Sequence, residues 1–190
     1  VDNYAGSMTP EHLEKAVADY TKSKGPEWEA KGKALQEKLA SQGETLQSQL
    51  TTLGQLAPNA PGRDQALADA LNDPAVALSL KTAWEKKPAL LDGKSGDDLL
   101  HLLADPTVRG STKLTDAGRK LIAQAGTSFV QAQISQFKDF KPGDAASVAR
   151  LDRAMARLES PAFAKYLGVR QDDLKSAVAE MRKLTPQAGD

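Results

Sequence analysis

Three stretches of this chain run an apolar helical face into a proline, and that repetition constrains the fold more than any other feature. They read LADALNDPAV (67–76), LLHLLADPTV (99–108) and AMARLESPAF (154–163). Leu71, Leu103 and Leu158 stand three residues before the proline. Leu67, Leu99 and Ala154 stand seven before it, and Val76, Val108 and Phe163 two after it. Spacings of three, four and seven put side chains on one face of an α-helix. Proline ends that helix by disfavouring the α conformation of the preceding residue, and it fits the first turn of the next. The residue before it is Asp, Asp or Ser, each able to accept from the free N–H groups of the new helix. Each stretch therefore predicts a helix, a sharp corner and a second helix. The corners fall 32 and then 55 residues apart, which predicts a packed array rather than a regular solenoid.

A second periodicity lies upstream. KGKALQEKLAS (31–41) is followed by QGETLQSQLTT (42–52), and a partial copy begins at Leu53-Gly54. Leu35 and Leu39 match Leu46 and Leu50, while Gly32, Gly43 and Gly54 recur at the same step. Eleven residues over three turns carry an apolar stripe almost straight along a helix. The spacing predicts one long helix over 26–56, begun at Pro26-Glu27. It needs a partner surface, either the rest of this chain or another protein, because its glycines weaken it alone. Thr9-Pro10-Glu11 predicts a preceding helix over 9–24, with Leu13, Val17 and Tyr20 on one face. Ala57-Pro58-Asn59-Ala60-Pro61-Gly62 is a breaker-rich boundary.

Beyond it, start and stop signals predict helices near 63–72, 74–87, 96–104, 115–137, 145–159, 161–167 and 171–184. The expected organisation is a disordered lead (1–8), a helical hairpin or arm (9–57), a multi-helix body (63–184) and a tail (185–190). The fold class is all-α: a long N-terminal hairpin or arm plus a compact orthogonal bundle of helix-corner-helix units. An apolar set dominated by Ala and Leu, with 5% aromatics, favours helices over sheets.

Lys plus Arg and Asp plus Glu number 25 each, so no global field steers the chain to nucleic acid. With no Cys, disulfides, thiolate metal sites and cysteine nucleophiles are excluded. No phosphate-binding glycine loop occurs, and no cofactor is expected. His12 and His101 lack a nucleophile at an identifying spacing. His101 lies on the 96–104 helix, four residues after Asp97, close enough to pair with it. Asp92-Gly93-Lys94-Ser95-Gly96-Asp97-Asp98-Leu99 has the outline of half an EF-hand loop. Pro88 and Leu90 occupy the positions of its first carboxylates, and Leu99 that of the bidentate Glu. A turn with an N-cap is the expectation, and a calcium-responsive module the alternative. Trp84 with Lys81, Lys86 and Lys87 makes a basic-aromatic cluster. Trp84 is expected to anchor the core. If it were exposed with Leu90 and Leu91, the three would form a tip for protein contact or, less favoured, membrane contact. Phe129, Ile134, Phe137 and Phe140 are read as core.

The stretch PAVALSLKTAWEKKPALLDGKSGDDLLHLLADP (74–106) resembles a unit in secreted virulence proteins of plant-associated bacteria. There a helix leads to Asp-Gly-Lys and Ser, then Asp-Leu, a short helix and Asp-Pro. It is similar to the helical repeats of type III secretion translocators. The Asp-x-Asp half of that pattern is missing, and no functional residue is carried over. The resemblance implies a secreted bacterial effector or translocator, possible delivery to a host cell, and a protein partner in the host or the secretion apparatus. The expected function is a helical protein-interaction domain, with Leu39, Leu46, Lys81, Trp84, Leu90, Leu91 and His101 as the candidate surface. The alternative is an effector enzyme that acts by positioning, such as an E3 ubiquitin ligase, with His101, Asp97 and Asp98 first in line.

Overall fold

The computed structural model describes residues 14–16, 18, 19, 22, 25–135, 140–160 and 171–184. They form an all-α bundle, with no strand among the described residues. Its elements are α1 (Pro26–Gln55), α2 (Arg63–Asn72), α3 (Pro74–Lys86), a 3-10 turn (Pro88–Leu91), α4 (Gly93–Ala104), α5 (Pro106–Arg109), α6 (Asp116–Ser135), α7 (Ala145–Glu159) and α8 (Gln171–Lys183). Residues 14–16, 18, 19 and 22 are helical as well. The readings for 1–8, for His12, Leu13, Val17, Tyr20, Phe137 and Phe163, for the 161–167 helix and for the tail lie outside the described residues.

The proline corners form as local chemistry dictates. The Asp73 carboxylate accepts from the Ala75 N–H at 2.8 Å, and Asp105 accepts from the Thr107 N–H at 2.8 Å. Asp144 caps α7 by accepting from the Ser147 N–H at 3.0 Å. The apolar positions that set the corner pattern point inward: Leu71, Leu103 and Leu158 are each 1% exposed. Leu67, Leu99, Ala154, Val76 and Val108 are buried with them. Each such leucine contributes about 1.5–3 kcal/mol of transfer free energy, so the corners and the core are specified by the same residues.

α6 runs through the middle, with Leu121, Ile122, Ala125 and Phe129 buried. It packs against α2, α3, the 3-10 turn, α4 and α8. α1 lies along α3, and its C-terminal half also touches α2 and α4. Two of the glycines spaced eleven apart explain that fit. A Cβ on Gly43 would overlap the Ser79 carbonyl oxygen and stand 2.6 Å from the Ala83 Cβ. A Cβ on Gly54 would stand 2.9 Å from a Leu102 methyl. Both glycines therefore let helices approach more closely than any side chain permits.

α4 begins at Gly93, earlier than the 96 read from Ser95. Asp92 is extended and makes no cap, because its carboxylate is taken by Arg157 of α7. A 3-10 turn occupies the segment after Pro88. It folds Leu91 into the core at 0% exposure, where it meets α4 and α6.

Candidate functional site

The repeat in α1 also borders an open groove among the described residues. Gly43, Leu46, Gln47 and Leu50 follow the pattern Gly-x-x-Leu-Gln-x-x-Leu, and so do Gly32, Leu35, Gln36 and Leu39. The second copy is engaged. Gly43 receives α3 at Ser79 and Ala83, and Leu50 is buried. Gln47 is 2% exposed and fully bonded. Its amide oxygen accepts from the Trp84 indole N–H at 2.9 Å, and its amide nitrogen donates to the Leu90 carbonyl at 2.8 Å. A buried amide with both ends satisfied is a strong local tie.

The first copy faces an open groove of about 940 Å³. Its α1 wall carries Gly32, Leu35, Gln36 and Leu39, its α3 wall Leu78 and Thr82, and Glu14, Ala18 and Lys22 close a third side. Leu35 is 41% exposed, one of two large apolar side chains, with Leu56, that stand out among the described residues. Gln36 is exposed, and no hydrogen bond to its amide occurs among the described residues. The rim charges are largely paired. Lys81 of α3 meets Glu14 at 2.8 Å and Glu85 at 3.9 Å, Lys33 meets Glu29 at 3.7 Å, and Lys86 meets Glu37. Burial, and then the nearby Glu14 carboxylate, push the Glu85 carboxyl above the ordinary glutamate range, against the pull of Lys81. The Thr82 hydroxyl donates back to the Leu78 carbonyl at 2.8 Å. The groove is thus an apolar trough whose rim charges largely pair with one another.

The residues expected to form a contact surface do not come together. Leu39 lines the groove, but Leu46, about two turns further along α1, is half-buried against the core. The proposed tip is not a surface: Trp84 is 2% exposed and held by Gln47, while Leu90 packs half-buried on the core. Trp84 is the core anchor, because the turn after Pro88 bends Leu91 inward instead of presenting it. Lys81 sits at the groove edge in its ion pairs. His101 is exposed on α4, away from the groove, with Nδ1 2.7 Å from the Asp97 main-chain carbonyl oxygen. Its partner is that carbonyl and not the Asp97 side chain. Phe129 is buried, and Ile134 and Phe140 pack half-buried against the same core.

The acidic run of the EF-hand-like segment has a structural use. The Arg157 guanidinium donates to both the Asp92 and the Asp97 carboxylates and lies over the Phe129 ring at 5.1 Å from its centre. Asp98 pairs with Lys94 at 3.2 Å. Among the described residues, no group of three or more His, Asp or Glu side chains converges as metal ligands would. No helix among them is long and apolar enough to cross a membrane.

Sequence reasoning missed the pairing of Gln36 with Gln47, although both stand in the aligned repeat. It also missed Arg157 and Asn72, whose roles depend on residues dozens of positions away. The Asn72 amide donates to the Lys113 carbonyl and accepts from the Thr115 N–H and hydroxyl at 2.8–3.0 Å, joining α2 to the start of α6. What the fold defines among the described residues is an all-α bundle with an apolar groove beside the N-terminal half of α1. No family model, no curated protein and no solved structure matches the chain.

Proposed function

We propose that this chain is a helical protein-interaction domain whose working surface is the groove beside the N-terminal half of α1. One observation carries the reading. Two copies of the same surface pattern lie on α1; α3 covers the second, while the first faces an apolar trough with Leu35 exposed. An apolar groove beside an exposed leucine is a shape that can receive the apolar face of a partner helix. Among the described residues the rim carboxylates and lysines largely pair with one another around an apolar floor, which supports contact over catalysis. The setting we propose is a bacterial virulence protein exported through a type III apparatus, with its partner in the host or in that apparatus. That part rests on the resemblance of 74–106 to translocator repeats.

The domain claim is tested by quantitative capture from host and bacterial extracts, with wild type and Leu35→Asp compared side by side. Leu35 is exposed, so the variant should keep its helical circular dichroism. A partner held by wild type and lost by the variant supports the groove; equal capture by both rejects it. Export is tested separately. The full-length protein containing this chain should reach the medium only from cells with a working type III apparatus, and apparatus-independent release would reject that setting.

A further inference from the structure

The third side of the groove is supplied by one short stretch of this chain. Glu14, Ala18 and Lys22 are helical, stand four residues apart and so share a helical face, and all three line the groove. Two fixtures hold the stretch there. At one end, the Glu14 carboxylate meets the Lys81 ammonium of α3 at 2.8 Å, with the Lys81 side chain only 18% exposed. At the other, Gly25 joins the stretch to α1 with φ 82° and ψ −170°, a conformation essentially confined to glycine. A Cβ on Gly25 would meet nothing within 4 Å, so the backbone turn itself, and not crowding, demands the glycine. A further group pulls the other way. Glu85 of α3 lies 3.9 Å from the same Lys81 nitrogen, and its carboxyl is raised first by burial and then by the Glu14 charge. The two carboxylates therefore repel each other beside one lysine.

Resting on the reading of the groove as a protein-contact site, we propose that the stretch bearing Glu14, Ala18 and Lys22 is an autoinhibitory strap beside it. Gly25 is its pivot, the Glu14–Lys81 ion pair its latch, and Glu85 the group that keeps the latch weak. With the latch closed, the strap forms the third side of the groove and limits entry to Leu35 and Leu39. With it open, that side is lost and the groove widens for a protein partner. An ion pair with one partner this exposed holds only weakly, so its release lies within reach of a partner's own binding energy.

The test is hydrogen exchange on the intact protein, followed in the amides of residues 14–22 and, as a control, in those of α6. A single helix about the length of the 9–24 stretch is marginal in water by itself, so exchange there reports docking. Glu14→Gln should speed exchange at 14–22 roughly two- to fivefold, the worth of one part-exposed ion pair. Gly25→Ala should speed it roughly tenfold, from backbone strain alone. Glu85→Gln should slow it about twofold, because Lys81 then serves Glu14 without that rival. Exchange in α6 should move in none of them. Capture of a Leu35-dependent partner should follow the same order, highest for Gly25→Ala and lowest for Glu85→Gln. Unchanged exchange at 14–22 in Glu14→Gln and Gly25→Ala overturns the strap alone, and the groove reading stands wherever capture still depends on Leu35. Altered exchange with level capture overturns the inhibitory role. Absence of Leu35-dependent capture in every variant, those with the strap released included, brings down the groove reading and the strap's role together.

Discussion

Gln47 and Gln36 are the same residue in two settings. Gln47 is sealed between α1, α3 and the 3-10 turn, with both ends of its amide bonded. Gln47→Leu keeps the volume but strands the Trp84 N–H and the Leu90 carbonyl. The expected loss is about 1–3 kcal/mol, read as a lower urea midpoint. Gln36→Leu, on the exposed copy, should stay within about 0.5 kcal/mol of wild type. Glu85 supplies a pH signature of opposite sign to most carboxylates. Its carboxyl is raised in the fold, first by burial and then by Glu14, so folding favours its protonated form. The fold therefore loses stability as pH rises through the ordinary glutamate value, about 4.3, towards the raised one. Glu85→Gln should raise the melting temperature at neutral pH and give no such gain well below pH 4; a gain that is equal at both pH values would contradict this account.

At the scale of elements, the repeat makes α1 serve two purposes with one pattern. Gly43→Leu should force α1 off α3 and cost about 1–3 kcal/mol from overpacking, despite the better helix propensity of leucine. Leu35→Ala, on the exposed part of the first copy, should instead stay within about 0.5 kcal/mol of wild type. Thermal unfolding of the two variants reads the contrast directly. The corners carry a separate prediction. Asp105 is held below the ordinary aspartate range mainly by the Thr107 hydroxyl, with help from the Thr107 N–H and the Arg63 charge. Asp144 is lowered mainly by the Ser147 hydroxyl. Carboxylates depressed in the fold add stability above their unfolded value, about 3.9, and lose it as pH falls through the folded one. Acid unfolding of Asp105→Asn should therefore begin from a lower plateau and show a shallower dependence on pH below 4.

Across the whole molecule, α7 and α8 pair with each other, and α8 rests on α6. Arg157 reaches from this pair to the start of α4, engaging Asp92 and Asp97 while stacking over Phe129. Its side chain is only 22% exposed. Arg157→Met keeps the apolar stem but leaves Asp97 without its cation. A loss of about 1–3 kcal/mol is expected, between the values for exposed and for buried pairs. Hydrogen exchange should show the loss first in α7 and α8. Uniform acceleration throughout the bundle, α1 included, would argue that Arg157 does not act as a local clamp.

The helices and their corners were legible in the amino-acid order alone, because they follow from interactions within a few residues. Leucines three and four apart share a helical face, proline restricts the residue before it, and an aspartate caps the turn that follows. The Gly-x-x-Leu-Gln-x-x-Leu duplication was equally visible. Its consequence was not, since both copies are identical in the features that define them. Which copy α3 covers, whether Trp84 faces solvent or Gln47, and which cation takes Asp92 and Asp97 are settled by contacts between residues 37 to 65 positions apart. Such contacts form only when whole elements meet, and no local spacing encodes them. Tertiary packing therefore turned two equivalent faces into one buried seam and one open groove.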